Sequence, residues 1–250
     1  MVRGCVQEQG MRRFYFKNIQ TPKVQIRGEE ARHMLKVLRM KEGDSFILFD
    51  GSGTDYPCRI DSVANNELTA TVGRGILNDR EPSVRITLYQ SMLKKDNLDL
   101  VLQKTTELGI ERFIPVLSAR CVRRPDDSEK LAVRLEKTAR EAAKQCGRSK
   151  IPLIGKLMVL NEIQEYAKSH DLLLLAYENE KAPIKSKIYE NDFMDIGIII
   201  GPEGGFETEE VRGMEKAGAV VCGLGELTLR AETAAIAAVS MIIYEKMESK

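Results

Sequence analysis

The pattern of apolar and polar positions changes once along the chain, near residue 83. Before that point the two kinds of residue alternate in short runs. Residues 12–19 and 23–27 read as strands, 28–40 as a brief helix, and 45–50, 54–63 and 67–75 as further strands. The breaks between the later strands fall at Gly43-Asp44, Gly51-Ser52-Gly53 and Asn65-Asn66, all turn-forming pairs or triplets. Short strands this closely spaced predict a small β-barrel. Residues 77–82 (LNDREP) are polar, end in proline and read as a linker.

From Val84 the apolar runs become continuous. Residues 84–89, 113–117, 172–177, 196–200 and 219–222 predict strands buried on both faces, and the stretches 98–108, 128–146, 162–169, 208–217 and 231–247 between or after them predict helices. Ser128 and Thr208 are suited to cap helix starts, and Gly109, Gly147 and Gly218 to close helix ends. Strands alternating with helices predict a parallel sheet covered on both faces. The domain organisation expected is an extension at 1–10, a barrel-like module at 11–76, a linker at 77–83 and an α/β domain at 84–250.

At 43% hydrophobic and 30% charged, the 250 residues suit a soluble globular protein, which excludes a disordered or fibrous chain. No apolar run approaches the ~20 residues of a membrane span, and residues 1–10 lack an export signal's apolar core. Five scattered cysteines with no CxxC pair, and only two histidines, argue against a structural zinc site and a disulfide framework. A reducing cytoplasm is the expected compartment. The net charge of +1 conceals an asymmetry: residues 11–41 sum to +7, 42–119 to −4, 120–150 to +5 and 151–250 to −7. Two basic blocks on a near-neutral chain suit a polyanionic partner, although each alone could be a solvated helix face.

Two glycine-rich turns are the best candidates for chemistry. Residues 198–206 read IIIGPEGGF, a buried strand running into a turn and then a helix, and ligands of open α/β sheets collect at such strand ends. No GK[ST] follows, so it is not a P-loop. Residues 220–230 read VVCGLGELTLR, where Gly223 and Gly225 lack the third glycine of a dinucleotide fingerprint. If the two turns share a cleft, it holds no lysine and Glu203 is the only charge within GPEGG, which suits a neutral or cationic ligand. Arg230 and Glu232 follow at a helix start, as candidates for chemistry or as a surface pair and a dipole complement. The helix at 128–146 carries Arg134, Lys137, Arg140 and Lys144 away from its apolar stripe, with Arg148 just beyond. Neither histidine, His33 nor His170, completes a Ser-His-Asp or Cys-His grouping.

Taken in order, the motifs resemble a known family. They are Arg12-Arg13-Phe14; His33 with Val37-Leu38-Arg39-Met40; Asp50-Gly51; QKTTELG at 103–109; EAAKQCGR at 141–148; GPEGG at 201–205; and LRAETA at 229–234. The set resembles the bacterial 16S rRNA uracil-N3 methyltransferases called RsmE, of the SPOUT superfamily, over nearly the whole chain. GPEGG alone marks only the superfamily. Met11 fits the family's initiator, and Ser118-Ala119-Arg120-Cys121 departs from the family's more usual Glu-Arg-Ser. The resemblance implies a PUA-like RNA-binding domain, an α/β domain with a trefoil knot, S-adenosylmethionine as donor, a homodimer, and 16S rRNA as substrate within a small-subunit particle. It implies no metal and no membrane.

Carried over by motif, the donor pocket comprises the strand end Leu175, Ala176 and Tyr177, then Ile200, Gly201, Pro202, Glu203, Gly204 and Gly205, then Leu224, Gly225, Leu227 and Leu229. Arg230 and Glu232 become the candidates for charge stabiliser and proton acceptor. Arg12, Arg13, His33, Arg39, Arg120, Arg140, Lys144 and Arg148 become candidate RNA contacts. The alternatives are a SPOUT enzyme with another target nucleotide, or a non-catalytic RNA-binding assembly factor.

Overall fold

A computed structural model describes residues 11–190 and 193–247. The extension read at residues 1–10 lies outside the described residues. The chain forms two compact units, one of residues 11–80 together with Ala143–Ile151, the other of Glu81–Ala142 together with residues from Pro152 onward.

The first unit is a six-stranded sheet of β1 (Arg13–Tyr15), β2 (Lys23–Ile26), β3 (Ser45–Phe49), β4 (Thr54–Ala64), β5 (Glu67–Val72) and β6 (Ile76–Leu77). The order is β1-β3-β4-β5-β2, with β6 on β4; only the β1–β3 pairing is parallel. Alternation places Phe14, Val24, Phe46, Leu48, Ile60 and Leu68 on one buried face. Each such side chain contributes about 1.5–3 kcal/mol by leaving water.

The helix expected at 28–40 splits into α1 (Gly28–Arg32) and one π-helical turn, His33–Val37. It stops where Arg39 takes a left-handed φ of 54° and Met40 N–H returns to the Met34 carbonyl at 3.0 Å. The segment read as a linker is anchored at its start. The Asn78 side chain donates to the carboxylate of Asp55, the Gly147 carbonyl and the Ser149 hydroxyl.

The second unit is a seven-stranded, all-parallel sheet of β7 (Arg85–Ser91), β8 (Arg112–Leu117), β9 (Leu153–Ile154), β10 (Met158–Val159), β11 (Leu172–Ala176), β12 (Asp195–Ile200) and β13 (Val220–Cys222). Its order is β10-β8-β7-β12-β11-β13, with β9 on β8. The helices are α2 (Lys95–Leu108), α3 (Ser128–Cys146, its last turn belonging to the first unit), α4 (Ile184–Tyr189), α5 (Thr208–Lys216) and α6 (Ala231–Lys246).

The α/β expectation is met, and the glycines read as helix ends have left-handed φ at Gly109 (105°), Gly147 (83°) and Gly218 (101°). Both expected N-caps shift by one residue. Asp127, not Ser128, accepts the N–H groups of Glu129 and Lys130, which holds its carboxyl below the usual range. Glu207, not Thr208, precedes α5, and its N–H bonds Glu210 at 2.9 Å. The helix expected at 162–169 is a 3₁₀ helix over Leu160–Ser169. Strands β9 and β10 and helix α4 were not foreseen; two to six residues are too few for a period to show.

At the amino ends of β11 and β12, His170 Nδ1 lies 2.5 Å from Asp195 and Nε2 lies 2.9 Å from the Tyr89 hydroxyl. Burial pushes that phenol up to about 12. His170 thus ties strand starts together, at the end of the sheet away from the glycine turns.

Candidate active site

In the parallel sheet the chain leaves β7 toward β8 on one side and returns to place β12 on its other side. Loops beyond such a reversal diverge and leave a crevice at the strands' carboxyl ends. A cleft of about 490 Å³ lies there. Ala176–Glu178 at the end of β11, Ile200–Phe206 at the end of β12 and Leu224–Leu229 after β13 line it, with Arg230, Ala231, Glu232 and Ala234 at the start of α6. The two glycine turns therefore do share one cleft.

Of the residues expected to hold a donor, Leu175 alone is not on the lining. Its side chain is fully buried in the sheet core with Ile199 and Phe206, because strand alternation turns it away. The expectation of a cleft without lysine also fails. Lys94 lines it, carried there by the turn between β7 and α2, with its backbone N–H 3.2 Å from Glu203 Oε1. No local pattern in the sequence links Lys94 to a turn more than a hundred residues later. Even so, four carboxylates (Glu178, Glu203, Glu226, Glu232) face two cations (Lys94, Arg230), so the lining is net acidic.

Glu232 sits in the first turn of α6, half-buried. Asn97 of α2, also on the lining and unforeseen, donates to its Oε2 at 3.5 Å. Arg230 is the exposed residue just before the helix. A carboxylate and a guanidinium thus border one cavity, one able to take a proton and the other to stabilise an anion.

The backbone of the GPEGG turn approaches its neighbours closely. At Gly205 φ is 69°, and a Cβ would lie 2.5 Å from Glu178 Oε1. At Gly204 a Cβ would instead meet Arg120 Cβ at 3.3 Å.

The expected RNA contacts divide. Arg12, Arg13, His33 and Lys144 border a second cavity of about 480 Å³ within the first unit, together with Arg80. Arg12 and Arg39 are exposed. Arg13 is not presented to a phosphate: it pairs with Asp55 at 2.6 Å with both side chains nearly buried, and donates to Ser149 Oγ. Arg148 is 5% exposed, buried in the returning segment. Lys144 is shared with Glu30 at 3.6 Å and the face of Phe14. Arg140 is half-buried on α3 in the second unit, apart from that group. Arg120 lies instead beside the cleft, its Nη1 donating to the Gly204 carbonyl at 3.1 Å.

Residues 80–243 match the RNA methyltransferase domain family and residues 26–73 the RNA methyltransferase PUA domain family. The chain is 32% identical over 236 residues to the ribosomal RNA small subunit methyltransferase E of Bacillus subtilis, covering 90% of this chain and 91% of that one. It belongs to that family. A Rickettsia conorii protein of the same name is also 32% identical, over 88% of this chain and 89% of its own. Among solved structures, the Neisseria gonorrhoeae ribosomal RNA small subunit methyltransferase E bound to S-adenosylmethionine superposes with a TM-score of 0.85 at 29% identity, over 93% of this chain and 96% of that one. A Legionella pneumophila methyltransferase with the same bound cofactor also gives 0.85 at 29% identity, over 94% and 98%. The first unit thus carries the family's PUA-like domain and the second its methyltransferase domain. No helix among the described residues is long and apolar enough to cross a membrane.

Proposed function

We propose that this chain transfers a methyl group from S-adenosylmethionine to N3 of a uridine in 16S rRNA, in the cytoplasm and on a small-subunit particle. The observation that carries the reading is the acidic glycine-walled cleft holding Glu232 and Arg230, in a chain of this family. Its lining fits the donor on chemical grounds. S-adenosylmethionine has a sulfonium and an ammonium but no phosphate, and the cleft offers an excess of carboxylates and no phosphate-binding lysine motif. Apolar Ile200, Leu227 and Leu229 lie beside backbone exposed at the glycine turns, a mixture suited to a nucleoside. The residues that would hold it are Ala176, Tyr177, Ile200–Gly205 and Leu224–Leu229. When bound, the donor supplies an electrophilic methyl group.

The remaining work falls to side chains of this chain. Uracil N3 keeps its proton at neutral pH and is then a poor nucleophile. Glu232 accepts that proton, Arg230 stabilises negative charge on a uracil oxygen, and the cleft walls hold the reactants in line. Exposed Arg12 and Arg39, with Lys144, supply phosphate contacts; the buried pair of Arg13 does not. The superfamily's trefoil knot belongs to the same reading. The deciding experiment is mapping modified nucleotides in 16S rRNA from a strain lacking this gene. Loss of a single N3-methyluridine is expected, and an unchanged modification pattern would refute the assignment.

Two further results are expected. Gly205→Val should weaken S-adenosylmethionine binding by calorimetry at least tenfold, since a branched side chain there strikes Glu178 and strains a left-handed backbone. Gly204→Ala should weaken it less, because its methyl meets only Arg120. Equal affinities for both variants and the wild type would place the donor elsewhere.

Light scattering should give twice the 28.1 kDa of one chain. Helix α6 is apolar almost all round. One side packs on α2, α4, β7 and β12, while Met241 and Tyr244 stay exposed on it, and exposed Leu227 and Met247 flank it. An all-round apolar helix calls for a second covering, which a second copy provides. A single-chain mass across micromolar concentrations would exclude the homodimer.

A further inference from the structure

We propose that loop 120–125 is an RNA clamp at the mouth of the cleft: Arg123 and Arg124 hold phosphodiesters beside the target nucleotide, and Arg120 braces the loop against the GPEGG turn. The proposal rests on the RNA-methyltransferase reading above and concerns residues which that reading leaves without a role.

The starting point is an electrostatic conflict. The second unit holds 22 Lys and Arg against 27 Asp and Glu, and its cleft is lined by four carboxylates against two cations. That field suits a sulfonium and repels a polyanion. An RNA strand can deliver a base into such a cleft only if cations at the rim offset the repulsion of its phosphates.

Loop 120–125 (RCVRRP) is placed to do so. It follows β8 at the same carboxyl end of the sheet, and it is fixed at its base. Ser118 and Cys121 are buried and close a tight turn, with the Cys121 N–H 3.2 Å from the Ser118 carbonyl. The turn is tied once to the start of α5 and once to the GPEGG loop. Glu210 accepts the Ala119 N–H at 2.7 Å with one oxygen and the Glu207 N–H at 2.9 Å with the other, and Arg120 donates to the Gly204 carbonyl.

Beyond this anchor the loop turns outward. Val122 is 83% exposed, and Arg123 and Arg124 are exposed; among the described residues neither arginine pairs with a carboxylate. Extended chain covers at most ~3.6 Å per residue, so both stay within roughly 15 Å of Arg120 and the cleft wall. That range reaches phosphates one or two nucleotides from a base held in the cleft.

The test compares wild type, Arg123→Ala/Arg124→Ala and Arg123→Lys/Arg124→Lys. In-vitro transcribed 16S rRNA is the binding probe, titrated across salt concentrations. The alanine variant should flatten the slope of log K against log salt by about 1.4, two phosphates at roughly 0.7 each on single-stranded RNA. Its KM for rRNA should rise about tenfold with kcat unchanged. S-adenosylmethionine affinity and melting midpoint should stay at wild-type values. The lysine variant should restore the slope, since point charges suffice for phosphate contact.

A wild-type slope and KM in the alanine variant would overturn the clamp. So would a loss of S-adenosylmethionine affinity as large as the loss of RNA affinity, which would make the loop a structural brace. Binding is read without turnover. A wild type that binds rRNA but transfers no methyl group therefore removes the methyltransferase reading, and the slopes still decide the clamp.

Discussion

Glu232→Gln should slow single-turnover methyl transfer by about 100-fold or more while leaving S-adenosylmethionine binding within a few-fold. The substitution keeps the shape of the side chain and its place in the first turn of α6, and Asn97 can still donate to the amide oxygen. What it removes is the capacity to take the N3 proton. The sign of the pH dependence follows. As pH rises toward uracil's own ionisation, the substrate loses that proton unaided, so the variant should recover part of its rate while the wild type gains little. Arg230→Lys keeps a charge but loses the planar fork, and should slow the reaction with no recovery at high pH. A Gln variant at the wild-type rate would leave Glu232 a helix-dipole complement only. A slow variant with a flat pH profile would assign it to positioning.

The largest effect on stability should come from Asp55→Ala. Asp55 is 5% exposed and accepts from both Arg13 nitrogens at 2.6 and 3.0 Å, from Asn78 and from Ser149. These bonds join β1, β4, the segment after β6 and the returning segment 143–151, so one carboxylate ties four pieces of the first unit together. Truncating it leaves the Arg13 guanidinium buried without its counter-charge, a loss of about 3–5 kcal/mol. Urea unfolding of the first unit should show that loss as a lower midpoint. Removing both charges, with Arg13→Met/Asp55→Leu, should recover much of it, because no charge is then desolvated. A cost below about 1 kcal/mol for Asp55→Ala would mean that water reaches Arg13.

The residue that this network takes from RNA shows where reading a sequence stops. Arg12 and Arg13 are adjacent and identical as letters, yet one is exposed and the other lies in a buried ion pair. Strand alternation says that neighbours face opposite ways, but not which way meets a carboxylate 42 residues on. Arg148 goes the same way: its basic block looks continuous with Arg140, but Lys144 and Arg148 belong to the segment 143–151 of the first unit while Arg140 stays in the second, and Arg148 is buried there. Lys94 was missed for the complementary reason. It stands in no motif and reaches the cleft because β7 and β12 are neighbours in the sheet.

Local chemistry was legible from local pattern. The two-residue period of the first unit, the continuous apolar runs of β11 and β12, the glycines ending helices and both glycine turns each depend on residues within a few positions of one another. The sequence by itself therefore determined the change from short strands to an α/β pattern, the parallel sheet and the two turns that wall the cleft. The return of Ala143–Ile151 to the first unit, read as part of the α/β domain, was beyond it. Only the tertiary structure decided which charges face solvent, that Asn97 and Lys94 join Glu232 and Arg230, and that loop 120–125 is tied to the GPEGG turn. Those facts depend on pairings between distant segments, and burial and ion pairing are set by the partner across the fold rather than by the neighbour along the chain.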